Sequence, residues 1–238
     1  EEILAIFSHS IRARVASALK VKAAIEAKSG EHGSRNVFGL SDLILQPYDG
    51  EFGVESKAMK DGEVSFATGS KGDTRKKLAK ASGAVIEYVG NLAYLAGTTT
   101  ERTRAQEYLG WLIQQRNGGS VSVDAHQNRS DDITTVRIPQ DLLDFFSSRT
   151  GGFLRSLEKK TGTFCFMVDD DNRHDINLLI CGHEHEGRIQ AEGLARNYFQ
   201  ALRDQPNAHP DDLVDKIIRQ GDVDDLGTLY IIYYILYF

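Results

Sequence analysis

The chain has 238 residues, 41% of them apolar and 26% charged, with a net charge of −6 and seven histidines. That balance suits an ordinary globular protein with room for two small domains, and it excludes a surface coated in basic residues for indiscriminate nucleic-acid binding. The two cysteines, Cys165 and Cys181, are too few for a disulfide framework, and no secretory leader pattern opens the sequence, so an intracellular setting, cytoplasmic or nuclear, is expected.

Taken in chain order, residues 1–29 predict one long helix, because Ile3, Phe7, Ile11 and Val15 recur every four residues and Gly30 supplies a stop. Val37 to Leu45 predicts one or two short strands, and Pro47, Gly50 and Gly53 punctuate a linker. A strand is expected over Phe52 to Glu55 and a short helix over Ala58 to Thr68. A second helix, Asp73 to Ala81, is stopped by Gly83. Ala84 to Val89 and Leu92 to Ala96 read as a strand pair turning at Gly90-Asn91, before a helix from Glu101 to Gln115.

Residues 118–132 are rich in Gly, Ser, Asn and Asp and predict an interdomain linker. The same order then returns: a strand over Ile133 to Ile138, helices over Gln140 to Phe146 and Gly152 to Lys160, strands over Phe164 to Val168 and Ile176 to Cys181, and a helix over Glu186 to Arg203. Setting Gly72 over Gly151 also sets Leu78 over Leu157 and Gly83 over Gly162, all at an offset of 79. The expected class is therefore α+β, with the order β-α-α-β-β-α present twice. Predicted boundaries are 1–50 for an N-terminal extension, 52–116 for domain 1, 117–132 for a linker, 133–204 for domain 2 and 205–238 for an acidic linker with an apolar end. Ile25 and Ser29-Gly30 echo Leu78 and Ser82-Gly83, which leaves 1–50 readable either as a remnant third copy or as an extension packed on domain 1.

Charge is segregated along the chain. Between Lys57 and Lys80, seven basic residues face three acidic ones, a balance of +4; between Asp204 and Leu226, seven Asp face Lys216 and Arg219, a balance of −5. The basic stretch contains Gly69-Ser70-Lys71-Gly72. Glycines there let a nucleic-acid backbone approach closely, and a helix N-terminus beside them favours a phosphate.

This turn, the Ser82-Gly83 that ends the next helix, Gly97 and Ala105 together resemble the type I KH domain. In the second copy the matching residues are Ser148-Arg149-Thr150-Gly151, Thr161-Gly162, Gly182 and Ala191, and Val136-Arg137-Ile138-Pro139 resembles the family's first strand. The resemblance covers 52–116 and 133–204. It implies a three-stranded antiparallel sheet packed on three helices in each copy. It also implies that the glycine turn clamps single-stranded RNA while the groove beside Val85 to Tyr88 reads base edges. Candidate RNA-binding residues are Gly69, Ser70, Lys71, Gly72, Arg75 and Lys76 in the first copy, and Ser148, Arg149, Thr150 and Gly151 in the second. Two departures stand out: Arg75 replaces an aliphatic residue of the family, and Ser148 with Thr150 makes the second turn degenerate.

The remaining motifs favour no enzyme. Cys165, His174, Cys181, His183 and His185 match no zinc spacing, Asp169 to Asp171 reads as a solvated loop, and neither a catalytic triad nor a phosphate-loop motif occurs, so no metal, cofactor or catalytic residue is expected. The closing run Leu229 to Phe238 is too short to span a bilayer and reads first as a strand joining a partner or a second copy, and second as a truncated membrane segment; no membrane is expected. The expected function is binding of single-stranded RNA, with single-stranded DNA an open alternative. The rival reading is an assembly subunit of a larger complex, such as a ribonucleoprotein.

Overall fold

The computed structural model describes residues 4–29, 52–118, 131–143, 145–146, 151–170 and 175–219. The expected strands within 37–45, most of the linker, the turn residues Ser148, Arg149 and Thr150, His174, and the run Leu229 to Phe238 lie outside the described residues. The chain divides into two units, Glu1–Val121 and Ser122–Phe238.

In the first unit helix α1 spans Ile11–Ser29, strand β1 Gly53–Ala58, helix α2 Glu63–Thr68, helix α3 Asp73–Ser82, strands β2 Val85–Val89 and β3 Leu92–Gly97, and helix α4 Thr99–Arg116. The sheet order is β1-β3-β2, and both pairings are antiparallel. β3 reads LAYLAG rather than alternating apolar and polar residues, because both of its faces are covered. Tyr94 and Ala96 pack with Val15 and Leu19 of α1, while Ala93 and Leu95, on the opposite face, are fully buried as well.

The predicted helix over 1–29 begins late. Ser10 caps α1, its hydroxyl accepting the Ala13 N–H at 3.3 Å and its carbonyl the Arg14 N–H at 3.1 Å, and Phe7 upstream is 90% exposed. The four-residue apolar recurrence ran through a helix start. α1 covers the sheet face that carries Val89, Tyr94 and Ala96. Arg12 ties it down: its guanidinium donates to the Gly83 carbonyl at 2.5 Å and to both Glu101 oxygens at 2.6 and 2.7 Å.

In the second unit β4 spans Ile133–Arg137, a short 3-10 turn Gln140–Leu142, helix α5 Gly151–Thr161, strands β5 Phe164–Asp170 and β6 Asp175–Cys181, helix α6 His185–Asp204 and helix α7 Pro210–Val214. The sheet order β4-β6-β5, again antiparallel, matches that of the first unit. Its core centres on Phe146, Phe153 and Phe199, with Phe153 stacked on Tyr198 at 4.2 Å between ring centroids. The predicted helix over Gln140 to Phe146 starts as a 3-10 turn. The stretch predicted as an acidic linker from 205 is helical over α7 and continues as a π-helical turn, Asp215–Arg219. Leu213, Val214 and Ile218 from this stretch are buried in the second core. The run of aspartates had masked three well-spaced apolar residues.

The landmarks shared at offset 79 have the same geometry. Ser82 and Thr161 each donate a hydroxyl to the carbonyl four residues back, Leu78 at 2.7 Å and Leu157 at 2.8 Å. Gly83 and Gly162 follow in left-handed conformation, φ 79° and 73°, closing each helix on Ala79 and Glu158.

Candidate nucleic-acid interface

Between α2 and α3 the chain reverses through Gly69-Ser70-Lys71-Gly72. Gly69 adopts φ 69° and ψ 180°, a region open essentially to glycine alone. A Cβ there would lie 2.2 Å from Thr74 Oγ1 and 3.0 Å from the Thr74 backbone nitrogen. Gly72 is left-handed too, φ 77°, yet a Cβ on it would meet nothing closer than Arg75 Nη2 at 3.8 Å. The first glycine is demanded by packing and conformation together; the second, buried beside the Arg75 and Lys76 side chains, is demanded by conformation alone.

Lys71 also sits in the left-handed region, φ 52° and ψ 25°, the one non-glycine residue with positive φ among the described residues. Such a conformation costs about 1–2 kcal/mol for a residue with a Cβ. It turns an exposed lysine outward at the tip of the turn. Gly72 is the N-cap of α3 and provides no side chain to accept the first-turn N–H groups. The helix therefore opens without a side-chain cap: the Asp73 N–H donates instead to the Ser70 carbonyl, and the Asp73 carboxylate itself stands at the positive end of the dipole.

Lys76 reaches back over the same turn. Its ammonium donates to the Lys71 carbonyl at 3.3 Å and lies 3.8 Å from Asp73 Oδ1, with its side chain 63% exposed. Ser70 is exposed beside it. Ser70, Lys71 and Lys76 are thus exposed together around the buried Gly72, with the exposed Asp73 among them.

Arg75 takes a different position. Nη1 donates to the Ile86 carbonyl at 2.9 Å and to Glu87 Oε2 at 2.7 Å, while Nη2 lies on the Gly72 side. β2 is an edge strand, so Ile86 offers a carbonyl that the sheet leaves free, and Arg75 caps it. The guanidinium bridges α3 to the edge strand β2. Below it Tyr88 is buried, and that burial pushes its phenol well above the ordinary range, against the opposing pull of Arg75. Glu87 lies within the stretch Val85 to Tyr88 that the sequence points to, but its pairing with Arg75 had no signal there, since alternation on an edge strand places a charge without naming its partner.

In the second unit Gly151 is the first residue of α5. A Cβ on the next glycine, Gly152, would lie 3.2 Å from Asp211 Oδ1 of α7. A carboxylate therefore stands beside the first turn of this helix. The same carboxylate, secondary to burial, pushes the Tyr198 phenol up to about 12.

A second recurring device escaped the sequence reading. Arg102 donates to the Gly97 carbonyl at 2.6 Å, and Arg188, fully buried, donates to the Gly182 carbonyl at 2.6 Å. Each lies three residues before an alanine of zero exposure, Ala105 or Ala191, so the signal was an Arg-x-x-Ala on the last helix of each copy. Among the described residues no cluster of His, Cys, Asp or Glu is placed to hold a metal, and no helix is long and apolar enough to cross a membrane. Cys165 and Cys181 are buried, free thiols.

No protein-family model matches this chain, and no curated protein matches it in sequence. Solved structures similar to it include Dim2p of Pyrococcus horikoshii OT3, 11% identical, covering 69% of this chain and 99% of that one at a TM-score of 0.26. Another is the complex of a/eIF2alpha, aDim2p and rRNA from the same organism, 12% identical, covering 71% and 94% at a TM-score of 0.26. A third is a protein of unknown function from Aeropyrum pernix, 12% identical, covering 77% and 97% at a TM-score of 0.25. Likenesses this distant carry no weight against the geometry of the turn.

Proposed function

We propose that this chain binds single-stranded RNA without catalysing a reaction, through the Gly69–Gly72 turn of a type I KH-like first unit. The observation that supports this most is the turn itself: a glycine-built reversal at the N-terminus of a basic helix, with Ser70, Lys71 and Lys76 exposed around it. A phosphate seated there meets two mobile cations and the Ser70 hydroxyl at a helix N-terminus. Arg75 forms the wall of the adjoining groove, and Glu87 beside it supplies an acceptor for a base amino group. Single-stranded DNA carries the same phosphates, so discrimination falls to contacts with the 2′-hydroxyl.

The second unit has a different role in this reading. Asp211 stands against the first turn of α5 and α7 completes the core, whereas the aspartate in the first turn of α3, Asp73, is offset by Lys76 3.8 Å away. That unit serves assembly or support, and RNA contacts by Ser148, Arg149, Thr150 and Gly151 are secondary. The test is the double substitution Ser70→Asp with Lys71→Asp, which puts negative charge where phosphates sit. Affinity for a pool of short single-stranded RNAs at fixed salt should fall about 10-fold or more, with thermal unfolding of the protein unchanged. Unaltered affinity would remove the turn from the interface.

A further inference from the structure

One helical turn before the glycines, Phe66 stands on α2 with 41% of its surface exposed, although Glu63 and Ala67 of the same short helix are buried. The Arg116 guanidinium, from the last residue of α4, lies over the Phe66 ring at 5.9 Å from the centroid. Gly62 supports this placement. It is left-handed, φ 77°, and a Cβ on it would lie 2.7 Å from Arg116 Nη2, so a side chain there would drive the guanidinium off. Two elements and one glycine thus combine to hold an aromatic ring and a planar cation together at the surface. Core packing does not account for the pair, since Phe66 is half open and Arg116 is exposed.

We infer that Phe66 and Arg116 form a stacking platform for the nucleobase that flanks the segment held by the Gly69–Gly72 turn. The inference rests on the RNA-binding reading of that turn and lengthens its footprint. Phe66 lies three residues before Gly69, about 4.5 Å along the helix axis, so the platform is within reach of the next nucleotide. Every base has a π-face, and an aromatic ring beside an arginine is the combination that holds single strands with little dependence on sequence. Arg116 adds a charge for the phosphate attached to that base. A protein partner would need a wider apolar patch than a single ring with a cation over it.

The experiment compares two pools of fluorescently labelled random-sequence RNA, tetramers and octamers, against the full chain at fixed salt. Tetramers engage the glycine turn and its groove; octamers can also reach the platform. Phe66→Ala and Arg116→Ala should each weaken octamer binding about 5- to 10-fold and leave tetramer binding within about 2-fold, whereas Phe66→Trp should keep octamer affinity. Thermal unfolding of each variant checks that α2 still folds, and the tetramer arm checks that the turn is intact. Equal octamer affinity in wild type and Phe66→Ala would overturn the platform while leaving the turn's role standing. A parallel loss for tetramers and octamers would overturn it too, by tracing the effect to the turn. Failure of the wild-type chain to bind either pool would instead sink the RNA-binding reading, and the platform with it.

Discussion

At the scale of single residues, the two glycines of the first turn make separable predictions. Gly69 combines a glycine-only conformation with a Cβ position already occupied by Thr74, so Gly69→Ala must displace α3 as well as adopt a strained backbone. The expected loss is about 2–3 kcal/mol of unfolding free energy. Gly72→Ala meets only left-handed strain, about 1–2 kcal/mol, with the new methyl in ordinary contact with Arg75 and Lys76. Its larger effect should be on affinity, because the methyl sits against the two side chains that border the turn. Denaturant unfolding and RNA titration on both variants should therefore rank them in opposite orders; the same rank in both assays would contradict this division of labour. The G-S-K-G spacing made both glycines legible in the sequence. Arg75 was legible only as a misfit, since its partners Ile86 and Glu87 lie across a groove that no local pattern marks.

At the scale of elements, α1 is the addition that most changes the first unit. It converts an open sheet into a three-layer stack, with Val15 and Leu19 buried against Tyr94 and Ala96. Helical periodicity revealed the element, while its start was set by Ser10, a cap signal weaker on paper than four evenly spaced apolar residues. What the sequence did not reveal is the latch between Arg12 and Glu101. Burial would raise the Glu101 carboxyl, but the Arg12 guanidinium and the Thr98 amide overcome it and hold the group below the usual carboxylate range. A folded value below the unfolded one means that the latch stabilises the fold above the ordinary carboxylate pKa, and that its contribution disappears as pH falls through the lower, folded value. Arg12→Ala should accordingly cost about 1–2 kcal/mol at neutral pH, and the gap to wild type should shrink as acid protonates Glu101. Urea unfolding at several pH values reads both effects; a gap independent of pH would mean that Arg12 acts through Gly83 and its packing on Phe52 alone.

At the scale of the molecule, the two units share a strand order and a set of helix-ending hydrogen bonds, yet the aspartate at the matching helix start comes from within α3 in the first unit, as Asp73 beside Lys76, and from a returning helix in the second, as Asp211. The sequence carried the common plan because glycines, caps and apolar periods are local. It hid the divergence because that depends on where the chain returns: α7 comes back over α5, bringing Asp211 to Gly152 and three apolar side chains into the core. Each such side chain contributes on the order of 2–4 kcal/mol, and a domain's whole margin is about 5–15 kcal/mol. A chain ending after Gln205 should therefore lose the cooperative unfolding transition of the second unit and keep that of the first, whereas a chain ending after Arg219 should keep both. Calorimetry of the two truncated chains decides the matter. If the shorter chain retained both transitions, α7 would be an attachment to the second unit instead of part of its core, and Leu213, Val214 and Ile218 would cover that core without holding it together.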